Sequence, residues 1–560
     1  MSKYLFFLGL VIVAGSITFF SFFNPSIPQR ITQVQAQSSV LHWPMPGHDV
    51  RRTSWATEGE MTVTFQKPLV PLWHKKISPY IPSKAQLVTV PSSASHPDLI
   101  LVPTVKGVYA FNADAQNVTA TDKHNNDAEY WFYPTDMPVG HSPSIVNDIA
   151  YFGSYDRTIH AVNVANGQKV WQSVQVGAGF DTNPLVVNNR VYAGNRDGYF
   201  YAFDANNGEL LWYFKTDGPI SYSAAYDQPT NTIYFASNDS HFYALDATSG
   251  TQKWKSAKLP GDGFYSWWPV ISGNYVLFTG TNIYNAKGLV GIDASREGLD
   301  AEAFENTSVY NNCTANPKTV DTCIANGSLL DCVVPVGQST ASCTITNPPR
   351  VIDGQIAEDY IAQYPERRSL YVFTKTTGME YQYAPILWNG NGSGNRLPPA
   401  IDSNGLVYLF TPISFNPNYL GLKVSAWEIG TNNIRPVSAE EGDSLDENRI
   451  AIGIGVINPI MIRHHKEDQG AEALNVVTGV RTVIYTVPNI LGLTPPVTPP
   501  VSSELLSTFG RYYGDWDERK YGNISRNGTG TNGNVNPFVP IRDKVCANVS
   551  NAIVCYETSN

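Results

Sequence analysis

The stretch VYAGNRDGYFYAFDANNGELLW, residues 191–212, predicts the fold because related stretches precede and follow it. The aspartate of its NRD turn, Asp197, has counterparts at Asp156 and Asp239, so the unit recurs about every 41 residues. A period near 40 residues with several short strands in each unit is typical of a β-propeller.

Each unit divides into four short apolar segments separated by turns rich in Asn, Asp and Gly. In the central unit these segments are Pro184–Val187, Val191–Gly194, Tyr199–Asp204 and Glu209–Trp212. Four strands joined by such turns predict one antiparallel blade. The clear and weaker copies together predict an all-β propeller of four-stranded blades, with eight blades favoured and seven as the alternative.

The two ends of the chain are expected to share the closing blade. The C-terminal hairpin that carries Cys546 and Cys555 is predicted to join the early strand Val70–Trp73. Such sharing ties the ring shut and removes its open sheet edges.

These patterns divide the chain into six predicted regions. They are a secretory signal peptide or signal anchor at 1–36, blades with clear repeats at 41–295, a cysteine-containing insertion at 296–366, further blades at 367–493, a Pro-rich linker at 494–503, and a closing segment at 504–560.

Two residue types that recur once in each unit are assigned to packing. Gly208 is expected to supply a positive φ in the last hairpin turn, and Trp212 to cover the joint between neighbouring blades. The structural set comprises Trp171, Trp212, Trp254, Gly167, Gly208 and Gly250.

The pattern D-A-x-x-G-x-x-x-W runs from Asp204 to Trp212 and from Asp246 to Trp254, and the first unit has Asn163 where Asp would stand. With these motifs the chain resembles the quinoprotein-like, or PQQ-type, β-propeller repeat family. The resemblance is clear over residues 98–292 and weaker up to about 487. The opening stretch at 43–49, WPMPGHD, also looks like the start of such proteins.

The resemblance implies two kinds of function. Enzymes of the family hold PQQ and Ca²⁺ at the propeller axis, and many carry two adjacent cysteines against the cofactor. Members of the assembly-factor branch present their loops to protein partners. Because no two cysteines are adjacent here, no cofactor residue is carried across from the enzymes.

The N-terminus predicts export. A lysine precedes an apolar run that ends near Phe23, and Val34-Gln35-Ala36 offers a small-residue cleavage pattern. A cleaved signal peptide is favoured over an uncleaved anchor, which would be the one contact with a membrane. The expected location is the periplasm, the cell surface or the extracellular space.

Six cysteines in an exported chain predict disulfides. They are Cys313, Cys323, Cys332, Cys343, Cys546 and Cys555, and the pair Cys546–Cys555 is the safest because it flanks a short turn. Zinc is the weaker alternative because no C-x₂-C spacing occurs, so no metal ligand is assigned.

Composition and motifs exclude several classes of function. The net charge of −10 argues against a nucleic-acid partner, since phosphate binding needs clustered Lys and Arg. No G-x-S-x-G elbow, H-E-x-x-H helix or P-loop occurs, so no catalytic residue is assigned.

One geometric argument predicts a binding funnel. The loop that enters the first strand of each blade opens near the axis, where propeller ligands usually bind. Alignment of the units on their Pro or Ala at that point gives the candidate contacts His141, Asp181, Tyr222, Trp267 and Trp268. The alternative is that these side chains plug the channel.

The favoured hypothesis is an exported, non-catalytic propeller that acts as a binding or scaffolding module, with a protein or a surface glycan as partner and no cofactor. The alternatives are a PQQ- and Ca²⁺-dependent alcohol or sugar dehydrogenase and a surface carbohydrate-binding protein.

Overall fold

The computed structural model describes part of the chain. The described residues are 40–56, 71–77, 79, 81–82, 85–115, 128–260, 263–264, 267–279, 330–333, 342–345, 368–381, 384–385, 398–412, 422–431, 434–437, 452–454, 460–465, 470–479, 481–485, 539–549 and 552–557. The predicted signal peptide and Pro-rich linker lie outside them, as does most of the insertion and of the closing segment.

Within these ranges the strands form eight sheets, here called A to H, and one separate hairpin. Four consecutive sheets follow the repeat, each with its strands in chain order from first to fourth. Sheet A comprises Val88–Val90, Leu99–Thr104, Gly107–Asn112 and Glu129–Pro134; sheet B Ser144–Val146, Ile149–Gly153, Ile159–Asn163 and Lys169–Gln172; sheet C Leu185–Val187, Arg190–Gly194, Tyr199–Asp204 and Leu210–Lys215; sheet D Ala225–Asp227, Thr232–Ser237, His241–Asp246 and Gln252–Lys255.

The remaining sheets vary this plan. Sheet E comprises Val270–Ser272, Tyr275–Thr279 and Leu370–Thr374; sheet F Ala400–Ile401, Leu406–Pro412, Leu422–Glu428 and Ile434–Pro436; sheet G Trp55–Ala56, Ile452–Ile454, Ile460–His465, Gly470–Asn475 and Arg481–Tyr485; sheet H Val539–Ile541, Lys544–Val549, Ala552–Glu557 and Pro71–Lys76. The fold is therefore all-β and propeller-like, and no helix in the described part of the chain is long and apolar enough to cross a membrane. The number of blades stays a prediction.

The repeated aspartate builds the turn between the second and third strands. In sheet C, Asp197 Oδ1 accepts the backbone N–H of Tyr199 at 2.9 Å, and Oδ2 accepts the Tyr201 hydroxyl at 2.8 Å. Asp239 makes the same two kinds of contact in sheet D. In sheet B the side-chain partner of Asp156 is the buried His160. One carboxylate thus closes the turn and fixes the strand that leaves it.

Each outer tryptophan packs on a glycine of the next sheet. A Cβ added to Gly208 of sheet C would lie 2.5 Å from the Trp171 ring of sheet B, and one added to Gly250 would lie 2.6 Å from Trp212. Trp131 and Trp254 make the same contact with Gly167 and Gly378. These glycines have φ between +66° and +76°, so their backbone conformation also disfavours a side chain. The close packing of each tryptophan ring on a glycine therefore holds neighbouring sheets together.

The early strand and the C-terminal hairpin meet in sheet H, as predicted. Pro71–Lys76 pairs antiparallel with Ala552–Glu557, and Trp73 lies opposite Cys555. Cys546 and Cys555 face each other on neighbouring strands and form a disulfide. The separate hairpin pairs Leu330–Val333 with Ser342–Ile345 and aligns the backbones of Cys332 and Cys343; Cys313 and Cys323 lie outside the described residues.

Candidate functional site

Two loops of every regular sheet lie at the same end, because neighbouring strands are antiparallel. One loop enters the first strand and the other joins the second and third strands; we call this the mouth end. First strands contact one another in the order H, A, B and C, and again between D and E and between F and G. They therefore surround the axis of the ring.

The N-terminal residues 41–56, here called the axial segment, run along these first strands. Backbone carbonyls of the segment accept hydrogen bonds of 2.7–3.0 Å from sheets H, A, B, D, E and F. The N–H donors are, in that order, Arg542, Thr89, Ile145, Tyr226, Ile271 and Ile401. Trp55 and Ala56 then pair in parallel with sheet G. The chain itself thus occupies the axis of its own ring.

Arg52 fixes the axial segment to sheet C, from which the segment's carbonyls accept no backbone hydrogen bond within the described residues. Its guanidinium is fully buried and donates to the carbonyls of Ala224 at 3.0 Å and Pro184 at 3.3 Å, and also to that of Pro46. Pro184 directly precedes the first strand of sheet C. Burial lowers the pKa of Arg52 to about 9, although Asp49 acts in the opposite direction. The guanidinium thereby joins two sheets to the segment.

A second buried contact holds the start of the axial segment. Gln86 Oε1 accepts the Trp43 indole N–H at 3.2 Å and the Gly47 N–H at 3.1 Å. His48 packs on Trp43 with ring centroids 4.8 Å apart and is 5% exposed. Burial lowers the pKa of His48 to about 4, so this imidazole is neutral at neutral pH.

A polar cluster lies at the mouth end between sheets B and C. Asp181 Oδ1 accepts the Tyr155 hydroxyl at 2.7 Å and lies 3.1 Å from His141 Nε2. The Arg196 guanidinium lies 5.8 Å from the Tyr155 ring centroid. Burial, and then the Asp181 charge, raise the pKa of Tyr155. The phenol is therefore a hydrogen-bond donor held neutral, and Arg196 is the exposed charge of the cluster.

A protein-family model described as outer membrane protein assembly factor BamB matches residues 114–257 and 155–296. The matched residues contain sheets B, C and D with their repeated tryptophans and glycines. The chain carries PQQ-type propeller repeats.

The solved structures similar to this chain include a BamB and two dehydrogenases. BamB from Moraxella catarrhalis is 10% identical, with a TM-score of 0.44 over 87% of this chain and 99% of that one. Quinohemoprotein alcohol dehydrogenase from Comamonas testosteroni is 14% identical, with a TM-score of 0.46 over 79% and 72%. A europium-containing methanol dehydrogenase is 11% identical, with a TM-score of 0.44 over 80% and 85%. No curated protein matches the sequence.

The structure places the five predicted funnel residues of the PQQ-type repeats in two surroundings. His141 and Asp181 meet in the mouth cluster. Tyr222 is fully buried and donates its hydroxyl to the Thr279 carbonyl at 3.0 Å. Trp267 and Trp268 are 6% and 1% exposed and meet edge to face. Their role in ligand binding stays a prediction, and both indoles lie inside the packed interior.

Sequence reasoning did not identify Tyr155, Arg196 or Arg52. Tyr155 and Arg196 each stand directly before a repeated aspartate, where sheet D has Asn238. That position lies in the turn at the mouth end, and its residue type varies between repeats. An alignment of the units shows this variation, so Tyr155 and Arg196 could have been found from the sequence. Arg52 follows the WPMPGHD stretch by three residues, and no local pattern marks its partners.

The described residues at the axis do not fit the cofactor that the repeat family implies. Calcium takes six to eight oxygen ligands, including carboxylates, and the mouth cluster supplies a single carboxylate that is already bonded to Tyr155. No group of three metal-ligating side chains occurs in the described part of the chain. Trp268 is 1% exposed and has the Arg52 guanidinium 5.9 Å from its ring centroid, so it offers no open ring face to a flat quinone.

Proposed function

We propose that this chain is an exported, non-catalytic propeller that acts as a binding or scaffolding module for protein partners in the cell envelope or outside the cell. The observation that supports this function is the axial segment. It runs past the first strands of the ring and makes its hydrogen bonds there with the chain itself.

The buried arginine strengthens this argument. Arg52 holds carbonyls that flank the first strands of sheets C and D, and its ring neighbour Trp268 is buried with it. A ligand on the axis at this level would have to displace a desolvated cation from its acceptors, which is costly. The axial segment therefore stabilises the fold, and partners are recognised by the loops at the mouth end.

The mouth end has the features of a recognition surface. The repeated aspartates and tryptophans give sheets B, C and D the same frame, while the turn positions before the aspartates carry Tyr155, Arg196 and Asn238. Arg196 is exposed, and arginine and tyrosine are frequent anchors in protein interfaces. The family description, which names an assembly factor of outer-membrane proteins, supports a protein partner and a location in the envelope.

A thermal melt with and without PQQ plus Ca²⁺ separates this function from the dehydrogenase. A ligand that binds the folded state raises the melting midpoint by mass action. We expect no shift at saturating cofactor. A saturable rise with both components present would overturn the proposal.

A site-specific photo-crosslinker tests for a partner directly. It replaces Arg196 at the mouth end, and the matched control replaces Asn206, an exposed residue in the turn at the opposite end of the same sheet. In the native host we expect one discrete protein adduct from position 196 and none from position 206. Equal adducts from both positions, or none from either, would contradict a partner at the mouth end.

A further inference from the structure

The loop of residues 173–182 joins sheet B to sheet C at the mouth end and lies between two turns that each carry an arginine. On one side the Arg157 guanidinium donates to Gln175 Oε1 at 3.0 Å. On the other side the Arg196 N–H donates to a carbonyl of the loop at 3.4 Å, and the Arg196 guanidinium lies 5.8 Å from the Tyr155 ring centroid. Both arginines are exposed, so the loop has an accessible guanidinium on each side.

The aspartate next to each arginine in sequence is bonded within the fold. Asp156 is buried and lies 2.8 Å from His160 Nε2. Asp197 accepts the Tyr201 hydroxyl at 2.8 Å and the Gly177 N–H at 3.0 Å. Among the described residues, neither arginine forms an ion pair with a carboxylate; their side-chain neighbours are an amide and an aromatic ring. The two positive charges are therefore not neutralised by the aspartates beside them.

The exposed charges described at the mouth end of sheets A to D are mostly positive. They comprise the basic residues Lys106, Arg157, Arg196, Lys215 and Lys258 and the acidic residues Asp136 and Asp217. Asp217 lies 3.7 Å from the Lys255 ammonium, which offsets its charge. The whole chain has a net charge of −10, so a positive mouth end is a local feature and not a general property of the surface.

The order of these charges favours a narrow anionic chain over a flat anionic surface. Asp136 lies in the loop from sheet A to sheet B, and Asp217 lies in the loop from sheet C to sheet D, so the two acids flank the loop with the arginines. A flat membrane of anionic lipids would meet these two carboxylates as well, whereas an acidic peptide on the central loop meets the guanidinium groups. Guanidinium groups bind carboxylates through paired hydrogen bonds.

We propose that the mouth end binds an acidic segment of its protein partner, whose carboxylates bind Arg157 and Arg196 on the two sides of the loop 173–182. This inference rests on the proposed function, because it names the chemistry of the partner that the mouth end recognises. Both arginines are exposed, so binding is sensitive to salt.

Fluorescence anisotropy of a labelled hexaglutamate peptide with the purified chain tests this chemistry. We expect saturable binding that weakens as the salt concentration rises from about 20 to about 200 mM, because salt screens exposed charges. A hexaglutamine peptide of the same length is expected not to bind. Because the chain as a whole is negative, overall charge opposes the binding of hexaglutamate. No binding of hexaglutamate, or equal binding of the two peptides, would overturn the proposal.

Matched substitutions locate the site. Arg157→Gln and Arg196→Gln are each expected to raise the hexaglutamate Kd at least about fivefold, because each removes a charge-assisted hydrogen bond. The control Lys169→Gln removes one positive charge from the exposed start of the fourth strand of sheet B, at the opposite end, and is expected to leave the Kd unchanged. An unchanged melting midpoint shows that each variant is folded. Equal effects of all three substitutions would contradict a site at the mouth end.

Vesicles of phosphatidylglycerol distinguish a peptide from a membrane. We expect the chain not to sediment with them under conditions in which it binds hexaglutamate. Sedimentation with the vesicles that is lost in Arg157→Gln and Arg196→Gln would assign the surface to a membrane and overturn the proposal.

The photo-crosslinker at position 196 separates this inference from the proposed function, because Arg157 remains in that variant. A discrete adduct in a chain that does not bind hexaglutamate would show a partner recognised by other chemistry, which overturns the acidic segment alone. The absence of adducts from positions 196 and 206 would contradict the proposed function itself.

Discussion

The substitution Gly208→Ala tests whether the contact between the Trp171 ring and Gly208 stabilises the packing of sheet B on sheet C. Two separate effects oppose a side chain there. Gly208 has φ +76°, and an added Cβ would lie 2.5 Å from the ring of Trp171. We expect about 1–2 kcal/mol from the left-handed backbone and about 1–3 kcal/mol more from overpacking.

Gly273 separates these two effects. It also has a positive φ, +50°, but an added Cβ would meet no atom within 4 Å. Gly273→Ala should therefore lose only the backbone part, about 1–2 kcal/mol. The difference between the two variants measures the contact with Trp171.

The assay is unfolding in urea followed by tryptophan fluorescence, with the midpoint and the slope fitted separately. A third variant, Trp171→Leu, removes the ring, and alanine at Gly208 should cost less in that background. The coupling in this double-mutant cycle is expected to be about 1–3 kcal/mol, because the two residues touch. Equal losses of unfolding free energy for Gly208→Ala and Gly273→Ala, or no coupling with Trp171, would show that this contact does not stabilise the packing of the two sheets.

Three further predictions concern buried groups. Burial lowers the pKa of His48 to about 4 in the folded chain. Between pH 6.5 and 4 the unfolded chain therefore binds a proton that the folded chain does not, and the free energy of unfolding falls as the pH falls. The variant His48→Asn should remove about 3 kcal/mol of this pH dependence, measured by urea unfolding at a series of pH values. Replacing both Cys546 and Cys555 by Ser should cost about 2–3 kcal/mol, because the disulfide closes a short loop, and an unchanged midpoint would show that the bond adds nothing to sheet H. The indole N–H of Trp171 donates to a backbone carbonyl of sheet C, whereas that of Trp212 has no partner within the described residues, so Trp171→Phe should cost about 1 kcal/mol more than Trp212→Phe in the same assay.

Much of the fold was readable from local sequence. The turn residues around Asp197 and Gly208 lie within one unit, so their spacing reports the four strands directly. Asn163 shows why an imperfect copy still folds: its Oδ1 accepts the Ala165 N–H at 2.8 Å, as Asp204 accepts that of Asn206 at 2.7 Å. Closure by the two ends was also predictable, since a lone strand and a hairpin each need partners.

The candidate site was only partly readable. Alignment of the units found His141 and Asp181, which do meet, at 3.1 Å. It missed Tyr155, because hydrogen bonding across the joint depends on how sheets B and C are placed against each other. The alignment also could not predict how deeply Tyr222, Trp267 and Trp268 lie in the fold, and all three are buried.

The repeat, the all-β architecture and the residues that hold one unit against the next can be predicted from the sequence, because these features depend on contacts within a unit or between neighbours. What occupies the axis is visible only in the folded structure. The axial segment binds mainly through backbone carbonyls, which every residue possesses, and its contact between Leu41 and Arg542 joins residues that are far apart in sequence. Such contacts leave no pattern in the sequence, and they exist only once the ring has brought its first strands together.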